Sequence, residues 1–414
     1  MKRNFNLSDL VFLLIFIGFS FFTTFSPIDD VSIAYRAFVV MIGLLCIFRN
    51  RNQHIALGKP LKLLFTIMVL MTIKVVYHLY LGELALKPVD HSRNMTMLFA
   101  FGVVWVPIIA LIRGSKSLDR EVLCYILLIA LLMMITKGLM TAMDANVEGR
   151  FELNKRQSTL AFGDKGAMLA IISASFIAMI STVRSNWRKI ILILSIGGLI
   201  IGIMGVLKAG SRGPMISGIT AVAFVFTVMR FRTKIYIVLA TCLSFVFGIV
   251  SVNMIYSFAP VIFARMNNTI EDHDTSGRDV LFEEALDKMS NNPILGDNPF
   301  AMEPGGYDTY HNVYLDVGAT LGLICFTLFV GLTIYLLIKT ISTAHQHKSV
   351  FSLFILAMFW FFAVRGLTGV FLLSNDSYVA TYALTCLLMN KTARKKREVY
   401  LQTRTEDQPL YSNY

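Results

Sequence analysis

The sequence has little charge. Only 15% of its 414 residues are Asp, Glu, Lys or Arg, against about 25% in soluble domains. With 56% hydrophobic residues and a mean hydropathy of +0.65, this scarcity excludes an ordinary soluble enzyme and a disordered chain. Cysteine is scarce too. Cys46, Cys124, Cys242, Cys325 and Cys386 each fall in an apolar run, and no two have a CxxC spacing. That pattern argues against a disulfide framework or a zinc site. The chain has no Walker A glycine loop, no HExxH, no G-x-S-x-G elbow and no internal repeat, so the commonest nucleotide, zinc-hydrolase and serine-hydrolase chemistries have no foothold. Asp272-His273-Asp274 has the look of a cation-holding acidic pair, but it lies in a loop of ten acids where such spacing arises by composition. No metal site and no cofactor are expected.

Apolar runs are what the sequence has in abundance. Twelve are near the length of an α-helix crossing about 30 Å of hydrocarbon. They cover roughly 9–25, 31–48, 61–81, 95–112, 122–143, 163–183, 189–207, 214–229, 234–257, 312–338, 349–365 and 371–390. The first run is too long for a cleaved signal, and a second span follows directly. The fold class expected is an all-α integral membrane protein of about twelve transmembrane helices. It divides into helices 1–9 over 1–257, a large polar loop with an amphipathic helix over 258–311, helices 10–12 over 312–390, and a basic tail over 391–414.

The net charge of +12 would suggest nucleic acid in a soluble protein; here it reports orientation. With both termini cytoplasmic, 23 of the 38 Lys and Arg fall on inside segments, and the acids divide the other way. The 258–311 loop then faces outward, which in a bacterial inner membrane is the periplasm. Within it, Ser276 can cap a helix whose apolar face is Phe282, Ala285, Leu286 and Met289, stopped by Asn291, Asn292 and Pro293.

Some bases sit where topology does not call for them. Arg36, Lys74 and Lys137 lie inside spans, Lys208 and Arg212 in the tight outer turn between spans 7 and 8, and Arg365 at the outer end of span 11. Charge within a membrane is costly and usually faces a bundle interior. Snorkelling to the interface accounts for some such residues; recognition of an anion, such as a lipid phosphate, accounts better for Arg212 and Arg365. His311 opens span 10 beside Asn312 and Asp316, which share a helix face, and an imidazole there can act as general base.

Three elements in fixed order carry a resemblance: Ser211-Arg212-Gly213-Pro214, then Ser276-Gly277-Arg278 continued by Pro293-Ile294-Leu295-Gly296, then His311-Asn312-Val313-Tyr314-Leu315 with Gly322 beyond. In these the chain resembles the O-antigen ligase and polymerase superfamily of bacterial inner-membrane proteins. It departs at Asp297-Asn298, where relatives often have glycine, and at Thr320, where they often have an acid. The resemblance implies a GT-C-like, metal-independent, inverting glycosyltransferase with its active site facing the periplasm. Its donor would be a polysaccharide on undecaprenyl pyrophosphate, and its acceptor a sugar hydroxyl of lipid A–core. Arg212 and Arg278 would bind the pyrophosphate and His311 would activate the acceptor hydroxyl or orient the leaving group, with Lys208, Arg365, Lys74, Asn312 and Asp316 as substrate-binding residues. Membrane lipids are expected partners; nucleic acid is not. The alternatives are an O-antigen polymerase, which uses the same donor with a lipid-linked acceptor, and a transporter or flippase.

Overall fold

The computed structural model describes residues 5–25, 31–53, 57–81, 104–140, 159–183, 185–229, 278–303, 306–369, 372 and 375–406. Helices stand in eleven of the twelve predicted spans. The ninth, 234–257, lies outside the described residues, as do Ser276 and the 272–274 acids. The helices are α1 (Leu7–Phe25), α2 (Val31–Arg49), α3 (Lys59–Tyr80), α4 (Val104–Gly114), α5 (Arg120–Met140), α6 (Thr159–Ala178), α7 (Arg188–Lys208) and α8 (Arg212–Val228). They continue with α9 (Arg278–Asn291), α10 (Val313–Gln346), α11 (Val350–Arg365) and α12 (Asp376–Glu406). Six of them are long and apolar enough to cross a membrane, and α4, α8 and α11 are shorter apolar helices. The chain is a helical membrane protein. Between α9 and α10 a short antiparallel hairpin pairs Ala301–Glu303 with Gly306–Asp308.

Packing follows membrane rules, in which apolar surface gives no net drive and small residues let backbones touch. Helices α6 and α7 meet through glycines. A Cβ on Gly202 would come within 2.7 Å of the Gly166 carbonyl, and one on Gly166 within 2.9 Å of the Gly202 carbonyl. Lower down, Ser173 fills the space beside Gly198. Beneath the outer end of the bundle, Tyr314, Phe329, Tyr378 and Tyr382 form an aromatic stack, with Tyr378 and Tyr382 rings 4.8 Å apart. Their hydroxyls are satisfied by one another, by Thr333 and by the Ala363 carbonyl.

Two helices carry irregular backbone. In α1, Leu14–Gly18 is a π-helical turn. Its carbonyls are taken by side chains from three other helices: Leu14 by the Tyr35 hydroxyl, Ile15 by the Ser377 hydroxyl at 2.8 Å, and Phe16 by the Lys165 ammonium. The Ser377 bond sets the first turn of α12 level with the middle of α1. Asn375-Asp376-Ser377, which interrupts the last apolar run, is therefore the start of a helix. The Asn375 side chain caps it by accepting from the Tyr378 amide at 2.9 Å. At its other end α12 continues to Glu406, through the segment read from sequence as a tail. Its Lys, Arg and Glu are good helix formers with no glycine or proline among them.

In α10, Gly322 has φ +82° and ψ 175°, which breaks the helix. The turn Pro293–Gly296, following α9, fills the break. The Leu323 amide donates to the Pro293 carbonyl at 2.7 Å, and the Asp297 amide donates to the Ala319 carbonyl at 2.7 Å. Gly296 has φ +66°, and a Cβ on it would lie 2.3 Å from the Thr320 carbonyl group. Both glycines are thus required, by left-handed backbone and by close approach. Gly322→Ala is expected to cost about 2 kcal/mol or more. Gly331→Ala, where a methyl meets open space, is the control. Thermal unfolding in detergent should separate the two; equal midpoints would contradict the account.

Candidate functional site

The starts of α8, α9 and α10 and the end of α11 converge on a cluster of arginines. Arg212 is the first residue of α8, entered through a left-handed Gly210 (φ +62°). The capping residue Ser211 makes no side-chain hydrogen bond to the helix, so the positive end of the α8 dipole lies at Arg212 without a side-chain cap. The next residue must be small. A Cβ on Gly213 would stand 2.7 Å from the Thr368 hydroxyl and 3.2 Å from an Arg365 guanidinium nitrogen. Pro214 packs on Gly163, which brings Asp164 to the same level.

Arg365 closes α11 and is the largest fully buried side chain, 1% exposed. Its Nε lies 2.9 Å from Asp164 Oδ1, and Nη1 donates to the Thr368 hydroxyl at 3.1 Å. Arg278 opens α9 from above. Its pKa is held below the ordinary arginine value, first by burial and then by repulsion from Arg365 and Arg212. Three guanidinium groups on three helices therefore share one electrostatic field. Half-buried Lys208 ends α7, four residues before Arg212.

His311 stands beside this cluster on a strained turn. It has φ +52°, the left-handed value that among the described non-glycine residues occurs here alone. Its neighbours hold it there. Asn312 caps α10, accepting from the Tyr314 and Leu315 amides at 3.0 and 3.2 Å. Asp316 is fully buried and accepts from the Tyr310 amide at 3.0 Å, so the turn is clamped on both sides of His311. The Val313 amide donates to the Gly366 carbonyl at 2.8 Å, tying the turn to the end of α11. Gly369 (φ +122°) separates the two groups: a Cβ there would lie 3.6 Å from Arg365 Nη1 and 3.8 Å from the His311 Cβ.

The floor of α9 is fixed by one lysine. Lys288 pairs with Glu284 at 2.8 Å and donates to the Phe300 carbonyl at 2.8 Å and the Tyr310 hydroxyl at 2.6 Å. Burial, with Glu284 nearby, pushes the Tyr310 phenol above its usual value and keeps it neutral. As the sequence pattern predicts, Ala285 and Met289 of α9 are buried. Phe282 and Leu286 instead roof an apolar slot of about 540 Å³, which runs from Asn312 down between α10 and α11 to Leu337.

Among the residues singled out from sequence, the structure brings Arg212, Arg278, Arg365 and His311 together. Asn312 and Asp316 hold the His311 turn. Lys74 reaches the Gly296 carbonyl at 3.4 Å, so it supports the loop turn that plugs α10. Lys137 donates to the Thr24 carbonyl at 2.7 Å and lies over the Phe25 ring, a link between α5 and α1. Asp164, Lys165 and Thr368 are additions. The signal for Asp164 and Lys165 is an adjacent acid and base at the start of an otherwise apolar run; Thr368 has none. Asp376 lies close enough to Lys165 and Arg36 to attract both, so a second charge group stands behind the first.

Residues 198–330 match the family described as O-antigen ligase. Over this segment the chain is similar to that family. The match spans α8, α9 and the first half of α10, and so contains Arg212, Arg278 and His311. No curated protein matches the chain as a whole.

The Arg365–Asp164 pair yields a stability test. Asp164→Ala leaves a buried guanidinium uncompensated, at a cost of about 3–5 kcal/mol. Asp164→Leu combined with Arg365→Met removes both charges and should cost much less. Denaturation of the purified variants measures the difference; a double variant no more stable than Asp164→Ala would refute the pairing.

Proposed function

We propose that this protein is an O-antigen ligase, which transfers polysaccharide from undecaprenyl pyrophosphate to a sugar hydroxyl of lipid A–core at the periplasmic face of the inner membrane. The observation that carries this reading is the convergence of Arg212, Arg278 and Arg365 beside His311, at the head of an apolar slot. A pyrophosphate is the ligand with the charge to settle mutually repelling guanidinium groups, and forked donors match its oxygens. An isoprenoid tail fits the slot between α10 and α11. The anomeric carbon is then held near His311.

The chemistry follows from the placement. Attack by the acceptor oxygen on the anomeric carbon breaks the bond to the pyrophosphate, and negative charge develops on the departing phosphate oxygen. Arg212 and Arg278, with the positive end of the α8 dipole behind them, stabilise that charge from fixed positions. Attack from the face opposite the leaving group inverts the anomeric centre. His311 takes the proton of the acceptor hydroxyl. Arg365, committed to Asp164 and Thr368, adds field without touching the ligand. Lys208 supplies a further cation at the rim. Twelve spans with both termini cytoplasmic put this site on the outer surface.

Arg212→Ala, Arg278→Ala and His311→Ala should each lower transfer by about a hundredfold or more, while the protein still inserts. Normal capped lipopolysaccharide in cells relying on the triple variant would rule the assignment out.

The second reading is an O-antigen polymerase. The single dominant outer loop favours a ligase, since polymerases tend to have two comparable loops with an arginine motif in each. A null strain separates the two. Long lipid-linked polymer that never reaches lipid A–core identifies a ligase, whereas caps of one repeat identify a polymerase. Transfer by the purified protein in detergent, with no gradient, excludes a purely transporting role.

A further inference from the structure

At the end of the bundle opposite the arginine cluster, the start of α1, the end of α2 and the turn after α4 enclose a cavity of about 410 Å³. Its walls include Asn6, Ser8, Arg49, Asn50, Gln53 and Lys116, and the lining contains no Asp or Glu. The nearest acid on α1, Asp9, is fully buried and already engaged. Its two oxygens accept from the Asn6 amide at 2.9 Å and the Asp119 amide at 2.8 Å. Glu121, in the first turn of α5, does not line the cavity.

The polar wall is preformed. The Asn6 side-chain amide donates to the Ser117 carbonyl at 2.7 Å, and the Ser8 and Ser117 hydroxyls are 3.0 Å apart. Asn50 donates to the Cys46 carbonyl at 2.9 Å and receives the Gln53 amide at 2.8 Å. That bond leaves Gln53 Oε1 buried and without a hydrogen-bond partner among the described residues. It is an acceptor waiting for a hydroxyl or amine. Meanwhile Lys391, just past the membrane-spanning part of α12, is held below the usual lysine value by burial and then by repulsion from Arg120 and Lys116. Positive charge therefore accumulates around the Lys116 side of the cavity.

We propose that this cavity binds the headgroup of an anionic phospholipid of the phosphoglycerol class. Arg49 and Lys116 would take the phosphodiester, and a glycerol hydroxyl would donate to Gln53 Oε1. Basic pockets between helix ends on the cytoplasmic side suit such headgroups, and the N-in orientation puts the cavity there. The site lies at the opposite face from the transfer chemistry and does not depend on that assignment.

The test uses the full chain purified in detergent, with bound lipid counted by native mass spectrometry as phosphatidylglycerol is titrated in. Arg49→Gln with Lys116→Gln should weaken binding roughly thirtyfold, from the loss of two cations near a charged headgroup. Both side chains are exposed, so the variant should keep its thermal midpoint. Lys339→Gln with Lys348→Gln removes the same charge away from the cavity and should leave binding within about twofold. Undiminished phosphatidylglycerol binding by the cavity variant overturns the proposal. So does full displacement of the lipid by inorganic phosphate, which would assign the site to a soluble phosphate ester.

Discussion

Everything at the outer end of this protein depends on one requirement: a backbone polar group inside a membrane protein needs a partner. Helix α10 breaks at Gly322, and the break would strand amides and carbonyls in a nonpolar setting. The Pro293–Gly296 turn supplies the partners, with Pro293 accepting from Leu323 and Asp297 donating to Ala319. The loop is thereby anchored in the wall of the bundle. Helix α9 ends immediately before that plug, so the repair of one helix fixes the height and direction of another, and with them the position of Arg278.

The same economy applies to charge. A buried arginine is costly unless paired, and Arg365 has both an acid and a hydroxyl partner. Arg212 and Arg278 are half-buried, and Arg278 feels Arg365 and Arg212 as repulsive neighbours. The committed arginine thus raises the potential at the other two. Short helices help: α8 has 17 residues and α11 has 16, so at 1.5 Å per residue they span about 24–26 Å. Their charged ends can sit below the level reached by the longer helices, at the depth of a lipid's phosphates.

Much of this was legible in the sequence because membranes enforce strong patterns. Length and hydropathy located the described helices, and the amphipathic period placed α9 to within a residue or two. Among the bases that stray from the topology rule, Arg212 and Arg365 stand in the same cluster. Legibility failed where function of a residue depends on a distant contact. Nothing in the sequence near Lys74 says that it reaches a carbonyl 222 residues away. Asp164 and Lys165 look like the edge of a span until Arg365 and Asp376 are placed beside them. Asn312 and Asp316 share a helix face with a histidine, which suggests ligand contact. Their caps and clamps are backbone hydrogen bonds, visible only once the turn at His311 is seen to be left-handed.

The π-helical turn in α1 has a consequence for how the chain is assembled. It exposes carbonyls that an α-helix would use itself, and their partners arrive in order: Tyr35 from the next helix, Lys165 from the middle of the chain, Ser377 from the last helix. Until α12 is in place, α1 carries an unsatisfied carbonyl at Ile15. Helices α1 and α12, far apart in sequence, are thereby joined directly, and the turn is fully satisfied only when both are in place. A truncation before residue 377 would lose more than its own helix, because it would leave an open seam in the first one.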